Sequence, residues 1–192
     1  MTPNQFSPRN GLNKIVQVNA AAGNRGLQKQ QASTRVIYDS LLQNASGFYR
    51  FFDNVASRTF PQTNLSENKL QVNESMVIKW INFHTFTIAT GTAPVTAVAQ
   101  FSATPALVRS DVSIEIANSV VLKPYPLDTM LAANNRHAQH TAHESVMLET
   151  DLVIPSLLEF IVNLRTTYVT ASTTVYNMCM LEGQATIYRP QG

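Results

Sequence analysis

The sequence predicts an all-β fold in which two antiparallel sheets pack as a sandwich. About eight segments have the apolar pattern of strands, and turn residues separate them at the spacing expected of a sandwich or barrel. No alternation of strands and helices is visible. With 192 residues, of which 44% are hydrophobic, the chain can bury a core. We expect an N-terminal arm of residues 1–59 and a β domain of residues 60–192.

The expected arm has two parts. Residues 1–31 hold ten Asn or Gln and show no sustained period, which predicts extended or irregular backbone. In residues 33–52 the apolar residues recur near a period of 3.6, which predicts a short helix with Ser33 or Asp39 as N-cap and Gly47 at its end. An aromatic cluster is expected to anchor the arm by packing, with ring stacking on a ligand as the alternative. Its members are Phe48, Tyr49, Phe51 and Phe52.

The remaining residues predict the strands of the β domain. Val112, Ile114 and Ile116 alternate with polar neighbours and give the clearest half-buried strand. Pro124 and Pro126 end the next one, and Gly183 marks a bulge in the last. The predicted strands are 71–87, 95–101, 112–116, 120–123, 146–149, 152–154, 157–166 and 175–189.

Eight strands joined by long irregular loops favour a two-sheet jelly roll over an immunoglobulin-like sandwich. The chain has one cysteine, Cys179, so it lacks the Cys–Trp–Cys signature of the latter and cannot form an internal disulfide. We expect Cys179 to be a small buried hydrophobe, because Met178, Met180 and Leu181 surround it.

The charge of the chain is low and unevenly distributed. Only 14% of residues are charged, against about 25% in an ordinary domain. The residues before Asp39 include five basic and no acidic side chains, and the rest of the chain holds nine basic and twelve acidic ones. Such an arm contacts a neighbouring subunit or nucleic acid, or is a solvated tail. The candidate contact residues are Arg9, Lys14, Arg25, Lys29 and Arg35.

One segment has the residue types of a metal site. His137, His140 and His143, with Glu144 beside them, could ligate zinc if they converge on a loop. The spacing is not the HExxH of zinc proteases, and the flanking Asn and Gln favour a polar surface loop or a pH-sensitive contact. We therefore expect no bound metal.

Signatures of catalysis and of membrane insertion are absent from the sequence. There is no GxSxG turn and no phosphate-binding glycine loop, so we expect no enzyme activity, no cofactor and no small-molecule substrate. Residues 81–108 carry no charge, but their Thr, Gly and Pro content argues against a membrane span. Polar sequence follows residues 1–7, so we expect no signal peptide.

The chain resembles the single jelly-roll capsid and virion structural proteins of tailless icosahedral viruses, including bacteriophages. The resemblance is carried by the Asn/Gln-rich basic arm (1–35), the aromatic entry GFYRFFDNV (47–55), the strand IPSLLEFIVNLRT (154–166) and the closing strand VYNMCMLEGQATIYRP (175–190). It implies a coat, vertex or minor capsid subunit, made in the host cytoplasm and located in the virion. The arm is less basic than a genome-packaging arm, so an arm that runs under neighbouring subunits fits better.

The implied partners are copies of the chain and other capsid proteins, with nucleic acid or an internal membrane as further partners of the arm. A low surface charge agrees with this role, because the centres of protein–protein interfaces are depleted in charge. A carbohydrate- or receptor-binding jelly roll, such as a fibre head, is the alternative, with Tyr125, Asn134 and Tyr168 as candidate contacts. A cupin-like metal enzyme is the third reading and depends on the histidine cluster alone.

Overall fold

The computed structural model describes residues 30–72, 74–87, 100–102, 110–126, 144–167 and 174–188. Most of these residues lie in β-strands, and the predicted all-β class is confirmed. A single 3-10 turn, Val55–Ser57, is the one helical element among them. The strands are β1 (Gln30–Leu42), β2 (Phe48–Phe51), β3 (Glu74–Thr87), β4 (Gln100–Ser102), β5 (Ser110–Ile116), β6 (Ser119–Pro126), β7 (Glu144–Ile154), β8 (Phe160–Thr166) and β9 (Val175–Tyr188).

The strands form two antiparallel sheets, as predicted. The first, which we call the long sheet, has the order β1-β9-β3, and β7 and β4 share the free side of β3. The second, the short sheet, has the order β2-β8-β5-β6. β1 and β2, which both lie within residues 1–59, supply one edge of each sheet.

The strand pairs are nested along the chain. β1 pairs with β9, β2 with β8, β3 with β7, and β5 with β6. Each of these pairs therefore encloses the next in sequence. Two further contacts, β3 with β9 and β5 with β8, join the nested pairs into the two sheets.

The inner faces of both sheets share one hydrophobic core. Burial alternates along β5 and β8, so that Val112 and Ile114 face inward from one and Val162 and Leu164 from the other. The long sheet contributes Ile78, among others, to the same cluster. The largest fully buried side chains are Tyr49, Phe51, Phe52 and Phe160.

The predicted helix of residues 33–52 is wrong. β1 and β2 occupy this segment, and every residue of β1 has a partner on β9. The apolar residues fit a period of 3.6, but Ile37 packs into the core from a strand while the side chains on either side of it are only half-buried. Ser33 and Asp39 are consequently not helix caps, and Gly47, with φ of 65°, belongs to the turn between β1 and β2. The pairing of β1 with β9, which is distant in sequence, thus determines the structure of this segment in place of the local helical pattern.

The predicted strand boundaries need smaller corrections. β6 continues through both prolines to Pro126, which an edge strand allows because one side of its backbone needs no ladder hydrogen bond. The segments predicted as 146–149 and 152–154 are one strand, β7, with an irregular pairing to β3. β8 begins at Phe160, after three residues that had been assigned to it.

The bulge expected at Gly183 lies at that point of the sheet, but its extra residue belongs to β3. Ile78 is opposite Gly183 and Trp80 is opposite Glu182, so Lys79 is the extra residue on the β3 side. A Cβ atom at position 183 would lie 1.8 Å from the carbonyl oxygen of Val77. Only glycine permits this close approach of the two backbones.

Candidate subunit-contact surfaces

Most of the residues predicted to make contacts lie outside the described ranges. These are Arg9, Lys14, Arg25 and Lys29 of the arm, the histidines His137, His140 and His143, and the glycan candidates Asn134 and Tyr168. Arg35 is described and belongs to β1. Its Nε lies 3.0 Å from Oε1 of Glu74, and its side chain is 37% exposed. This arginine therefore joins β1 to the start of β3 and still presents part of its surface to solvent.

The aromatic cluster divides between the interior and the surface. Tyr49, Phe51 and Phe52 are buried, whereas Phe48 is 45% exposed. The ring centroids of Phe52 and Phe160 are 5.0 Å apart, which links this segment to β8. Alternation along β2 explains the difference, since Phe48 faces away from the core.

A buried ion pair, not anticipated from the sequence, fixes the segment after β2. Asp39 of β1 is fully buried, and Arg58 donates to both its carboxylate oxygens, from Nε to Oδ1 and from Nη2 to Oδ2, each at 2.8 Å. The backbone N–H of Phe52 donates to Oδ2 at 2.7 Å. Burial raises the pKa of Asp39, while the hydrogen bonds from Arg58 and Phe52 act in the opposite direction. We call this pair the Asp39–Arg58 clamp.

The outer edge of β1 is covered near the clamp by two polar residues. Oδ1 of Asn64 accepts from the N–H of Tyr38, and its Nδ2 donates to the carbonyl of Val36, both at 2.9 Å. The hydroxyl of Thr63 donates to the carbonyl of Tyr38 at 2.9 Å. An amide side chain thus occupies the hydrogen-bonding positions that another strand would use. We call this arrangement the Asn64 cap.

Cys179 is buried in the core, which confirms the expectation from its apolar neighbours. It is the Cα partner of Asp39 across the β1–β9 pair. Burial, with the nearby Asp39 carboxyl as a smaller cause, raises the pKa of its thiol well above the ordinary value. A thiol in this state is a poor nucleophile, so Cys179 is a packing residue.

The outer face of the short sheet is polar, and its side chains are hydrogen-bonded across neighbouring strands. Arg165 of β8 donates to Oδ2 of Asp111 on β5 from Nη2 at 2.8 Å and from Nε at 3.2 Å. Asn163 of β8 donates to Oε1 of Glu115 on β5 at 2.6 Å. The face therefore presents one balanced charge pair, a carboxylate hydrogen-bonded by an amide, and the exposed ring of Phe48.

Exposed apolar side chains cluster at one end of the short sheet. The loop before β8 is held to residues 68–70 by main-chain hydrogen bonds, from Leu157 N to Leu70 O at 3.1 Å and from Phe160 N to Asn68 O at 3.0 Å. Leu157 is 50% exposed and has φ of 62°, in the left-handed region. Leu158 and Val72, which flank the same contacts, are 37% and 60% exposed. An ordered loop thus presents leucines to solvent.

The described residues hold no group of three or more His, Cys, Asp or Glu side chains that could bind a metal ion. In the same part of the chain, no helix has the length and apolar character needed to cross a membrane.

Comparison with known proteins adds little to this description. The sequence matches no family model and no curated protein. Among solved structures, the chain is similar to dimeric latent PorU from Porphyromonas gingivalis, with 9% identity and a TM-score of 0.24. The match covers 83% of this chain and 13% of the PorU chain. A similarity at this level assigns neither a fold nor a function.

Proposed function

We propose that the sandwich is a jelly roll. The support comes from the nested pairing: with β4 set aside, the first strand pairs with the last, the second with the seventh, the third with the sixth and the fourth with the fifth. A long antiparallel hairpin that rolls up on itself has this pairing, and its strands separate into two four-stranded sheets. β4 is then an addition of three residues at the edge of the long sheet.

On this fold, we propose that the protein is a virion structural subunit, a coat, vertex or minor capsid protein that assembles with copies of itself. The observation that carries the proposal is the nested strand order, which is the order of a jelly roll, in a chain of unusually low charge. Only 14% of its residues are charged. A monomer exposed to water on all sides usually carries more charge for solubility, whereas a surface covered by other subunits does not need it.

The described contacts suggest which parts of such a subunit stabilise its fold and which remain for contacts with other subunits. The Asp39–Arg58 clamp and the shared core stabilise the sandwich from within. The Asn64 cap blocks strand addition along part of β1. Contacts are then left to the outer face of the short sheet, to the leucine loop before β8 and to the basic arm of residues 1–29. Interfaces built from faces and loops allow a defined geometry between rigid subunits.

The mass of the native assembly tests this proposal. We expect the purified full chain to form a particle of many subunits, measured by sedimentation velocity and electron microscopy. A variant that lacks residues 1–29 should keep the β-sheet circular dichroism signal and lose the particle. The matched control exchanges Arg9, Lys14, Arg25 and Lys29 for Gln, which separates the charge of the arm from its length. A full chain that stays monomeric at high concentration would contradict the proposal.

A further inference from the structure

We propose that the outer face of the short sheet is a self-complementary docking surface for a second copy of this chain, related by a two-fold axis that runs along the strands between β8 and β5. This contact deepens the proposed function, because it specifies one interface of the assembly. The argument depends on one row of side chains across the sheet.

The row runs over all four strands of the short sheet. Phe48 of β2 is the Cα partner of Arg165 on β8, Arg165 is the partner of Asp111 on β5, and Asp111 is the partner of Pro126 on β6. Directly paired residues share a face of a sheet. Tyr49, Leu164 and Val112, which follow or precede them in sequence, are buried, so the row faces away from the core. We call these four residues the outer row.

Two copies of the outer row are complementary when a two-fold rotation brings them face to face. A two-fold axis along the strands and midway between β8 and β5 places β8 of one copy over β5 of the other, and β2 over β6. Arg165 then lies over Asp111 of the second copy, and the ring of Phe48 lies over the second copy's Pro126. The same two contacts recur on the other side of the axis, as a two-fold interface requires. Four alternating charges surround the axis, with apolar contacts at both ends.

The exposure and charge of the outer row fit a contact with a second copy of this chain. The Arg165 side chain is 68% exposed and Asp111 is 32% exposed, so their ion pair within one chain is solvent-screened and weak. A guanidinium has five N–H donors, which lets Arg165 keep its own carboxylate while it contacts a second one. The row itself has no net charge, so its own charges stay balanced when it is covered. Phe48 and the exposed Pro126 add apolar area at the ends of the row.

The size of the face predicts a weak contact. β2, β8, β5 and β6 have 4, 7, 7 and 8 residues, and at about 4.8 Å between strands and about 3.4 Å per residue they give roughly 420 Å² of projected area per copy. The total of roughly 840 Å² lies at the low end of specific interfaces, so we expect association in the micromolar range. Weak contacts of this size suit an assembly in which each subunit makes several of them.

Charge exchange between two variants tests the proposal. Asp111→Arg gives a chain with two arginines in the row, and Arg165→Asp gives a chain with two aspartates. Each should weaken self-association by at least about tenfold, because like charges face each other across the axis. An equimolar mixture of the two variants should recover the association, since every arginine then faces an aspartate of the other chain. Mixing cannot restore an ion pair within one chain, so recovery reports only on contacts between copies.

Sedimentation velocity of the full chain across the micromolar range provides the measurement, at low and high salt. Glu182→Lys is the matched control, because it changes a half-buried charge on β9 of the long sheet, away from the outer row and from the loop before β8, and should leave association unchanged. Phe48→Ser should weaken association without any change of charge. Circular dichroism checks that each variant is folded.

The outcomes separate this contact from the proposed function. If the wild-type chain assembles and the mixture associates as poorly as either variant alone, the docking surface is refuted and the assembly proposal stands. If mixing restores a dimer and the wild-type chain forms nothing larger, the docking surface is supported and the virion role is refuted.

Discussion

The Asp39–Arg58 clamp gives a quantitative prediction for the substitution Arg58→Met. Asp39 is fully buried, and its carboxylate accepts two hydrogen bonds from Arg58 and one from the N–H of Phe52. Hydrogen bonds to a charged group contribute about 1.5–3 kcal/mol each, so the loss of two predicts roughly 3–6 kcal/mol. Breaking one side of a buried ion pair typically costs about 3–5 kcal/mol, in agreement with that figure.

Protonation of Asp39 limits this loss and makes it depend on pH. The ordinary pKa of the carboxyl is 3.8, and its folded-state pKa is already raised by burial. When the folded-state pKa of a carboxyl is above its unfolded-state pKa, the folded state binds the proton more tightly. The resulting stability is fully present below the unfolded-state pKa. It is lost as the pH rises through the folded-state pKa. Removing Arg58 raises the folded-state pKa further. Protonating the buried carboxyl then costs about 4 kcal/mol at pH 7 and about 2 kcal/mol at pH 5.

Urea unfolding of the wild-type chain and Arg58→Met at both pH values measures this difference. We expect the loss in free energy of unfolding to be at most about 4 kcal/mol at pH 7 and at most about 2 kcal/mol at pH 5, because the wild-type carboxyl with its raised pKa already bears part of this cost. The double variant Asp39→Asn, Arg58→Met has no carboxyl to protonate, so it should be more stable than Arg58→Met at pH 7 and show no such dependence on pH. Arg50→Met, which removes an exposed pair with Asp53, is the control and should change stability little. A loss from Arg58→Met below about 1 kcal/mol at pH 7, or one equal at both pH values, would refute the reasoning.

Two further substitutions test the backbone features. Gly183→Ala places a methyl group 1.8 Å from the carbonyl oxygen of Val77, so β3 and β9 must move apart; we expect a loss of about 3 kcal/mol in thermal unfolding, and an unchanged melting temperature would contradict the close approach. Leu157→Gly should raise stability by about 1 kcal/mol, because glycine adopts a φ of 62° without the steric cost paid by leucine. Leu158→Gly, at the neighbouring position, is the control and should give no gain; equal effects at both positions would show that the left-handed backbone is not the cause.

The sequence predicted those strands in which apolar and polar residues alternate, because in such a strand every second side chain faces the core. Along β5, Val112, Ile114 and Ile116 face the core in strict alternation, so a period of two was sufficient to place them. β1 was mistaken for a helix because Val36, Ile37, Leu41 and Leu42 fit a helical period about as well as a strand with apolar residues on both faces. The pairing with β9, more than 130 residues away, decides between the two.

The polar contacts could not be predicted from the sequence for a different reason. Asp39 and Arg58 are brought together by the turn after β2, and no local pattern specifies that turn. Asn64 caps β1 from 26 residues away through hydrogen bonds that any exposed asparagine could form. An aromatic run alone does not tell which rings face inward. That Phe48 is exposed while Tyr49 and Phe51 are buried follows from the register of β2 on β8.

The Asn64 cap has a consequence for strand addition at the outer edge of β1. A bare strand edge has no natural stopping point, because every strand that joins it presents a new edge to the next, and the product is a fibre of indefinite length. Asn64 closes this route along Val36 and Tyr38 by using a side chain from the same molecule. A two-fold contact through a sheet face ends when its two members meet. Along Val36 and Tyr38 the fold therefore disfavours open-ended strand addition, and the proposed two-fold contact would not extend into a fibre.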